Sequence, residues 1–165
     1  MRDKSPSETK CDTHHPNKTL ANLRFRGIIN AMHVIRVKTS RRQDIIDMTP
    51  AVRDLIRQHD LQDGLLLIYS PHTTAGITVN ENADPSVKRD ITHFLNRLVP
   101  QEAGFTHAEG NADAHIKGSL VNFSQTFIVE DGKLQLGTWQ GIFLLEFDGP
   151  RSRQVWVKFI PNTNT

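Results

Sequence analysis

This sequence is nearly devoid of cysteine. Its one thiol, Cys11, lies in a polar N-terminal stretch, so an intrachain disulfide is excluded and a reducing, cytoplasmic setting is expected. No apolar run approaches the roughly 20 residues that a membrane helix needs, so no membrane partner is expected. Residues 1–18 lack the apolar centre of a secretory signal, and none is expected there. Charge of one sign is also scarce: 20 basic and 18 acidic residues leave a formal +2, too little to argue for a nucleic-acid partner. There is no G-x-S-x-G elbow, no GK[ST] phosphate loop and no dinucleotide glycine fingerprint. What remains, 37% hydrophobic and 23% charged residues in a chain of 165, is the composition of one ordinary folded domain.

The chain divides into a polar extension over residues 1–30, expected to be disordered and dispensable, and a domain over 31–165. Residues 31–38 (AMHVIRVK) read as the first strand. Thr49 and Pro50 read as the N-cap and first position of a helix whose inner face carries Val52, Leu55, Ile56 and His59. The run Leu65 to Tyr69 reads as a buried strand, with Ala75 to Asn80 as its partner. Asp84 and Pro85 open a second helix with an apolar stripe of Val87, Ile91, Phe94, Leu95 and Leu98. Farther on, Leu120 to Val129 reads as a strand, Asp131 and Gly132 as a turn, and Lys133 to Leu136 as the return. Two more strands, 141–147 and 154–160, bracket Asp148, Gly149 and Pro150. The expected fold class is α+β: a single domain with a largely antiparallel sheet or sandwich and two principal helices.

The chemistry concentrates in two polar segments, Pro71 to Ala75 and His107 to His115. His72 follows a strand exit, and His107 and His115 flank a Gly-Asn turn. Histidine is both a proton carrier near neutral pH and the commonest metal ligand. Three neutral imidazoles, His72, His107 and His115, suit a divalent ion such as Zn or Mn with an open position, whereas Mg, the usual partner of pyrophosphate, wants oxygen ligands; the alternative is three separate loop-edge residues. Glu81 stands between two asparagines, placed to take a proton, to orient a histidine or to bond nearby backbone. Asp113 either orients His115 or faces solvent. Arg151 and Arg153 alternate after a tight turn and suit a phosphate, unless they pair with Glu146 or Asp148. Lys88 and Arg89 read as a solvated helix face. Trp139 stacks on a ring or packs in an interface, and Gln140 beside it is a hydrogen-bonding candidate.

Six ordered motifs stand together: His72-Thr73-Thr74-Ala75; Asn80 to Pro85; Arg89-Asp90; the block from His107 through Gly110-Asn111 to His115; Leu136 to Gln140; and Glu146 to Arg151. On them the chain resembles the YjbQ-type family, also called the secondary thiamine-phosphate synthase family. The resemblance runs from about Met32 to Ile160. It implies a small homotrimeric α+β fold with a site near subunit boundaries that takes a metal or an anion. It also implies a weak thiamine-phosphate synthase activity. The catalytic candidates are then His72, Glu81, His107 and His115, and the metal candidates are the three histidines. The candidates for binding a small phosphorylated substrate are Arg151, Arg153, Thr73, Asn111, Trp139 and Gln140. Two other readings stand beside the transferase: a metal-dependent hydrolase or lyase of a small phosphorylated metabolite, and a non-catalytic trimer that binds an anion.

Overall fold

Alternation of apolar and polar residues builds most of the strands, and a computed structural model describes residues 31–162. The N-terminal extension, with Cys11 in it, lies outside the described residues. Eight strands and three helices follow in the order β1 (Met32–Lys38), β2 (Asp44–Asp47), α1 (Thr49–Gln58), β3 (Gly64–Tyr69), β4 (Ala75–Glu81), α2 (Pro85–Leu98), α3 (Ala112–Val121), β5 (Ser124–Glu130), β6 (Lys133–Leu134), β7 (Gln140–Glu146) and β8 (Ser152–Pro161). They form an antiparallel five-stranded sheet, β1-β8-β3-β5-β6, and an antiparallel three-stranded sheet, β2-β7-β4.

The inner faces of the two sheets close on one core. Leu66, Ile68, Phe127, Val155, Val157 and Phe159 come from the large sheet, Ile77, Ile142 and Leu144 from the small one, and Val52 and Ile56 from α1. On the far side of the small sheet, Phe143, Leu145 and Phe147 pack with Ala114 of α3 and with Ile91 and Leu95 of α2. Six of the seven β7 residues are therefore buried, as expected of a strand covered on both faces. Among the described residues, the outer face of the large sheet has no such cover. Leu65 stands opposite both Ile128 and Ile160 there, and all three are exposed.

Several sequence expectations change here. A third helix, α3, occupies part of the segment read as a strand from Leu120, and β5 starts only at Ser124. Ala75 to Asn80 does not pair with Leu65 to Tyr69; it pairs with β7 in the other sheet, Ala75 opposite Glu146 and Glu81 opposite Gln140. β3 is buried on one face only, with Leu65 and Tyr69 outward. β7 and β8 do not form a hairpin, because the turn at Asp148 to Arg151, with its cis Gly149-Pro150 bond, carries the chain from one sheet to the other.

The helix starts divide. Asp84 caps α2 as expected, its carboxylate accepting from the Ser86 N–H at 2.7 Å. At α1 the N-cap is Met48, and the Thr49 hydroxyl instead accepts from the Ile142 N–H of β7 at 2.9 Å. The α2 stripe is only half covered, with Phe94 and Leu98 exposed. Lys88 is no solvated residue: it donates to Asn82 and lies 4.5 Å over the Phe143 ring.

Candidate functional site

The β7 end of the small sheet meets the β3–β4 loop, the start of α3 and the turn into β8. The Arg153 guanidinium donates from Nε to Glu146 Oε2 at 2.6 Å, and from Nη2 to Glu146 Oε1 at 2.5 Å and the Thr74 hydroxyl at 2.8 Å. Both members of the pair are buried. Glu146 also accepts from the Phe147 and Asp148 N–H groups and from Thr39. Arg153 and Glu146 sit on the inner faces of opposite sheets, so the pair closes this end of the core. Thr74 thereby fixes the loop that carries His72 and Thr73. Gly118 of α3 lets that loop approach, since a Cβ there would lie 3.0 Å from the Thr73 carbonyl oxygen.

His72 Nε2 accepts from the Gln154 N–H at 2.9 Å. Burial, then the neighbouring Arg153 charge, holds this imidazole below its ordinary pKa. His33, whose ring lies 4.0 Å from that of His59, is lowered as well, by burial and then by the His59 and Lys158 charges. In the folded chain both imidazoles bind protons less readily than in the unfolded chain. Their contribution to stability is therefore complete above the ordinary imidazole value of about 6.5 and drains as pH falls through it. We expect the melting temperature to fall between pH 7 and 5, and His72→Asn with His33→Asn to flatten that slope; an unchanged slope in the double variant refutes the assignment.

His107 and His115 do converge. The chain reverses at Gly110, whose φ of +71° suits glycine, and α3 then presents His115 edge-on to His107 with ring centroids 5.2 Å apart. His107 Nε2 lies 3.7 Å from Glu109. His72 does not join them in one ligand set: its Nε2 is taken by Gln154, and no three His, Cys, Asp or Glu side chains among the described residues are grouped to hold a metal ion. The described side chains thus do not assemble the three-histidine metal centre expected from the sequence.

Asn111 stands at the N-cap of α3 without capping it. Its Nδ2 donates to Asp148 Oδ2 at 3.0 Å, while its buried Oδ1 has no hydrogen-bond partner. Arg151 donates to the same Asp148 oxygen at 2.6 Å and remains half exposed. Burial works to raise the Asp148 pKa, but the bonds from Asn111 and Arg151 and the charges of Arg151 and Arg42 outweigh it and hold the carboxyl low. The N–H groups of Ala112 and Asp113, in the first turn of α3, have no intrahelical acceptor. Arg151, paired with Asp148, the open helix start and the two imidazoles, one beside Glu109, thus gather hydrogen-bond donors along one ledge, and a helix start favours an anion.

Beneath it runs a polar network that sequence reasoning missed. Asp113 neither orients His115 nor faces solvent; it accepts from Arg42 Nη2 and Lys117 Nζ, each at 2.8 Å. Lys117 is 1% exposed and also donates to Asn96, which exchanges bonds with Gln43. The only signal in the sequence is the i, i+4 spacing of Asp113 and Lys117, which reads equally as a surface pair.

Glu81, Trp139 and Gln140 lie elsewhere. Glu81 pairs with Gln140 at the opposite end of β7 from Glu146, roughly 20 Å away at the rise of a strand. Trp139 is 65% exposed, and Gln140 Oε1 accepts from the Gly137 N–H. Glu81 is half-buried, and its N–H donates to the Asn80 side-chain oxygen.

Residues 33–162 match the model of a family described as UPF0047 protein YjbQ-like. The UPF0047 protein MJ1081 of Methanocaldococcus jannaschii is 56% identical over 133 residues, 81% of this chain and 96% of the relative. YugU of Bacillus subtilis is 47% identical over 130 residues, 78% of this chain and 98% of its own. A crystal structure of an uncharacterized conserved protein from Clostridium acetobutylicum has a TM-score of 0.76 at 50% identity, covering 78% of this chain and 99% of that one. Hypothetical protein APE1520 from Aeropyrum pernix K1 gives 0.77 at 36% identity, covering 80% and 99%.

Proposed function

The chain belongs to the YjbQ-like UPF0047 family, and we propose that it is a cytoplasmic small-molecule enzyme for phosphorylated substrates, with thiamine-phosphate synthesis as a secondary activity. The observation that carries this reading is the ledge: His107 and His115 in edge contact, the open first turn of α3, and Arg151 tied to Asn111 through Asp148.

Thiamine-phosphate synthesis suits such a ledge because it needs no base for the attack. The thiazole nitrogen brings a lone pair to the methylene carbon of the pyrimidine, a C–N bond forms, and the C–O bond breaks with its electrons leaving on pyrophosphate. What the protein supplies is charge neutralisation on the leaving group and alignment of the two rings. Arg151 and the Ala112 and Asp113 N–H groups meet the pyrophosphate oxygens, with His107 and His115 as further N–H donors. Arg153, held by Glu146 in the core, acts by fixing Thr74 and the His72-Thr73 loop. We derive no step through a metal ion, since the described side chains do not assemble a ligand set.

Trp139, with Gln140 and Glu81, reaches this ledge only from a neighbouring copy. We therefore propose a homotrimer with sites shared between protomers; the uncovered apolar face of the large sheet supports association. The test is thiamine-phosphate formation from the two phosphorylated precursors with Mg²⁺, Mn²⁺ or Zn²⁺, in wild type, His107→Ala and Arg151→Ala. Product that falls at least about tenfold in both variants is expected, in line with loss of charge-stabilising contacts. Equal product from all three proteins, or none from wild type, refutes the synthase reading. Binding of pyrophosphate without turnover favours the anion-binding trimer, and a monomer by light scattering at micromolar concentration removes the shared site.

A further inference from the structure

Away from that ledge, α1 and the β5–β6 turn enclose a cleft of 570 Å³, on elements that carry none of the residues discussed above for catalysis. Arg53 and Arg57 stand one helical turn apart on α1, and Lys133 faces them from β6. Asp54 is the one acidic residue in the lining and pairs with Arg57. Arg53 and Lys133 have no acidic partner among the described residues. Two like charges at i, i+4 oppose helix formation by roughly 0.2–0.5 kcal/mol, and a third cation across the cleft adds to that repulsion. Ile56 and Leu134, both nearly fully buried, form the base of the cleft, and the exposed Pro50 adds apolar surface at its wall. Small-ligand sites combine these features, an apolar wall with a few convergent charges.

We propose that this cleft binds a small organic phosphate, its planar apolar body lying against Pro50, Ile56 and Leu134 and its phosphate held by Arg53, Arg57 and Lys133. The guanidinium pair offers the forked donors that phosphate oxygens accept, and Lys133 adds a point charge from the opposite wall. A bare anion meets only the rim, and a neutral aromatic only the floor, so the two halves together define the ligand class.

The test titrates the full chain, ¹⁵N-labelled, with phenyl phosphate, inorganic phosphate and benzyl alcohol. Phenyl phosphate is expected to move the Arg53, Gly132 and Lys133 amides saturably, with the other two probes at least about tenfold weaker. Arg53→Glu and Lys133→Glu are each expected to weaken phenyl phosphate at least about tenfold, and Arg53→Gln and Lys133→Gln by less, while His107→Ala leaves the affinity unchanged. Because both side chains are exposed, unaltered amide spectra of the free variants verify their fold. No saturable shift up to about 5 mM overturns the proposal. So do charge reversals that leave the affinity within about twofold, or shifts centred on Asn111 and Arg151 instead.

Discussion

Replacing Arg153 with methionine is expected to lower folding stability by about 3–5 kcal/mol, the loss found when one partner of a buried ion pair is removed. The stem of the arginine is roughly preserved in methionine, so packing changes little and the effect reports on charge. Glu146, 1% exposed, would keep its bonds from Thr39, Phe147 and Asp148 but lose the cation that neutralises it. Glu146→Gln should cost a similar amount, because it leaves a buried guanidinium with only Thr74 and a neutral amide. The double variant Arg153→Met with Glu146→Leu should recover part of the loss, since an apolar pair leaves no stranded charge but takes the acceptor away from the Asp148 N–H and Thr39. Urea unfolding at fixed protein concentration measures all three. Single losses below about 1 kcal/mol would place the pair among solvent-screened surface bridges and refute its role in closing the core.

That pair also illustrates what the sequence discloses. The alternation of Arg151 and Arg153 near Glu146 and Asp148 made local charge pairing foreseeable, and the structure forms Arg151 with Asp148 and Arg153 with Glu146. It did not disclose that the first pair is at the surface and the second is buried between two sheets, because that depends on β7 and β8 parting at the turn. Strong local signals survived in the same way. Asp84 with Pro85 opens α2, and Asp131 with Gly132, both at positive φ, turns β5 into β6. Nonlocal pairing did not survive: β4 follows β3 closely, yet its hydrogen bonds go to β7, some sixty residues onward.

The helix α3 escaped for a different reason. Its buried positions are Asp113, Ala114, Lys117 and Gly118, two of them charged and two nearly without side chain. A hydrophobic stripe at helical spacing is the signal that betrays a surface helix, and here the buried stripe is polar. The larger apolar residues Ile116 and Leu120 of this helix are exposed instead. The spacing of His107 and His115 leaves a loop or a loop-to-helix junction open, and the structure has the junction, with His115 on a helix anchored by its own buried face. Candidate residues can thus be listed from the sequence, but their division between the two ends of β7 cannot, because sheet register sets it.

Asp113→Asn is expected to be the second severe substitution, and more severe than Lys117→Met. Asp113 has two cationic partners, Arg42 and Lys117, and Lys117 is buried as completely as Asp113 itself. Removing the lysine charge leaves Asp113 matched by Arg42, whose side chain is 30% exposed and meets solvent on one side. Methionine fills most of the vacated volume, so a loss of about 1–2 kcal/mol is expected from the forfeited hydrogen bonds. Removing the carboxylate charge instead leaves Lys117 in the interior with only neutral acceptors, Asn96 Oδ1 and one amide oxygen for which Arg42 competes, and Arg42 without its anion. An ammonium so placed either stays charged at a cost or releases its proton, and a loss of about 3–5 kcal/mol is expected. The same substitution loosens α3, which carries Asn111 and His115, so the His107–His115 contact should change as well. Urea unfolding gives the stability order, and the His115 ring resonances report the geometry. If Lys117→Met proves the more damaging of the two, the network is held by the lysine's contacts rather than by its charge balance. The ledge above it would then owe its shape to packing alone.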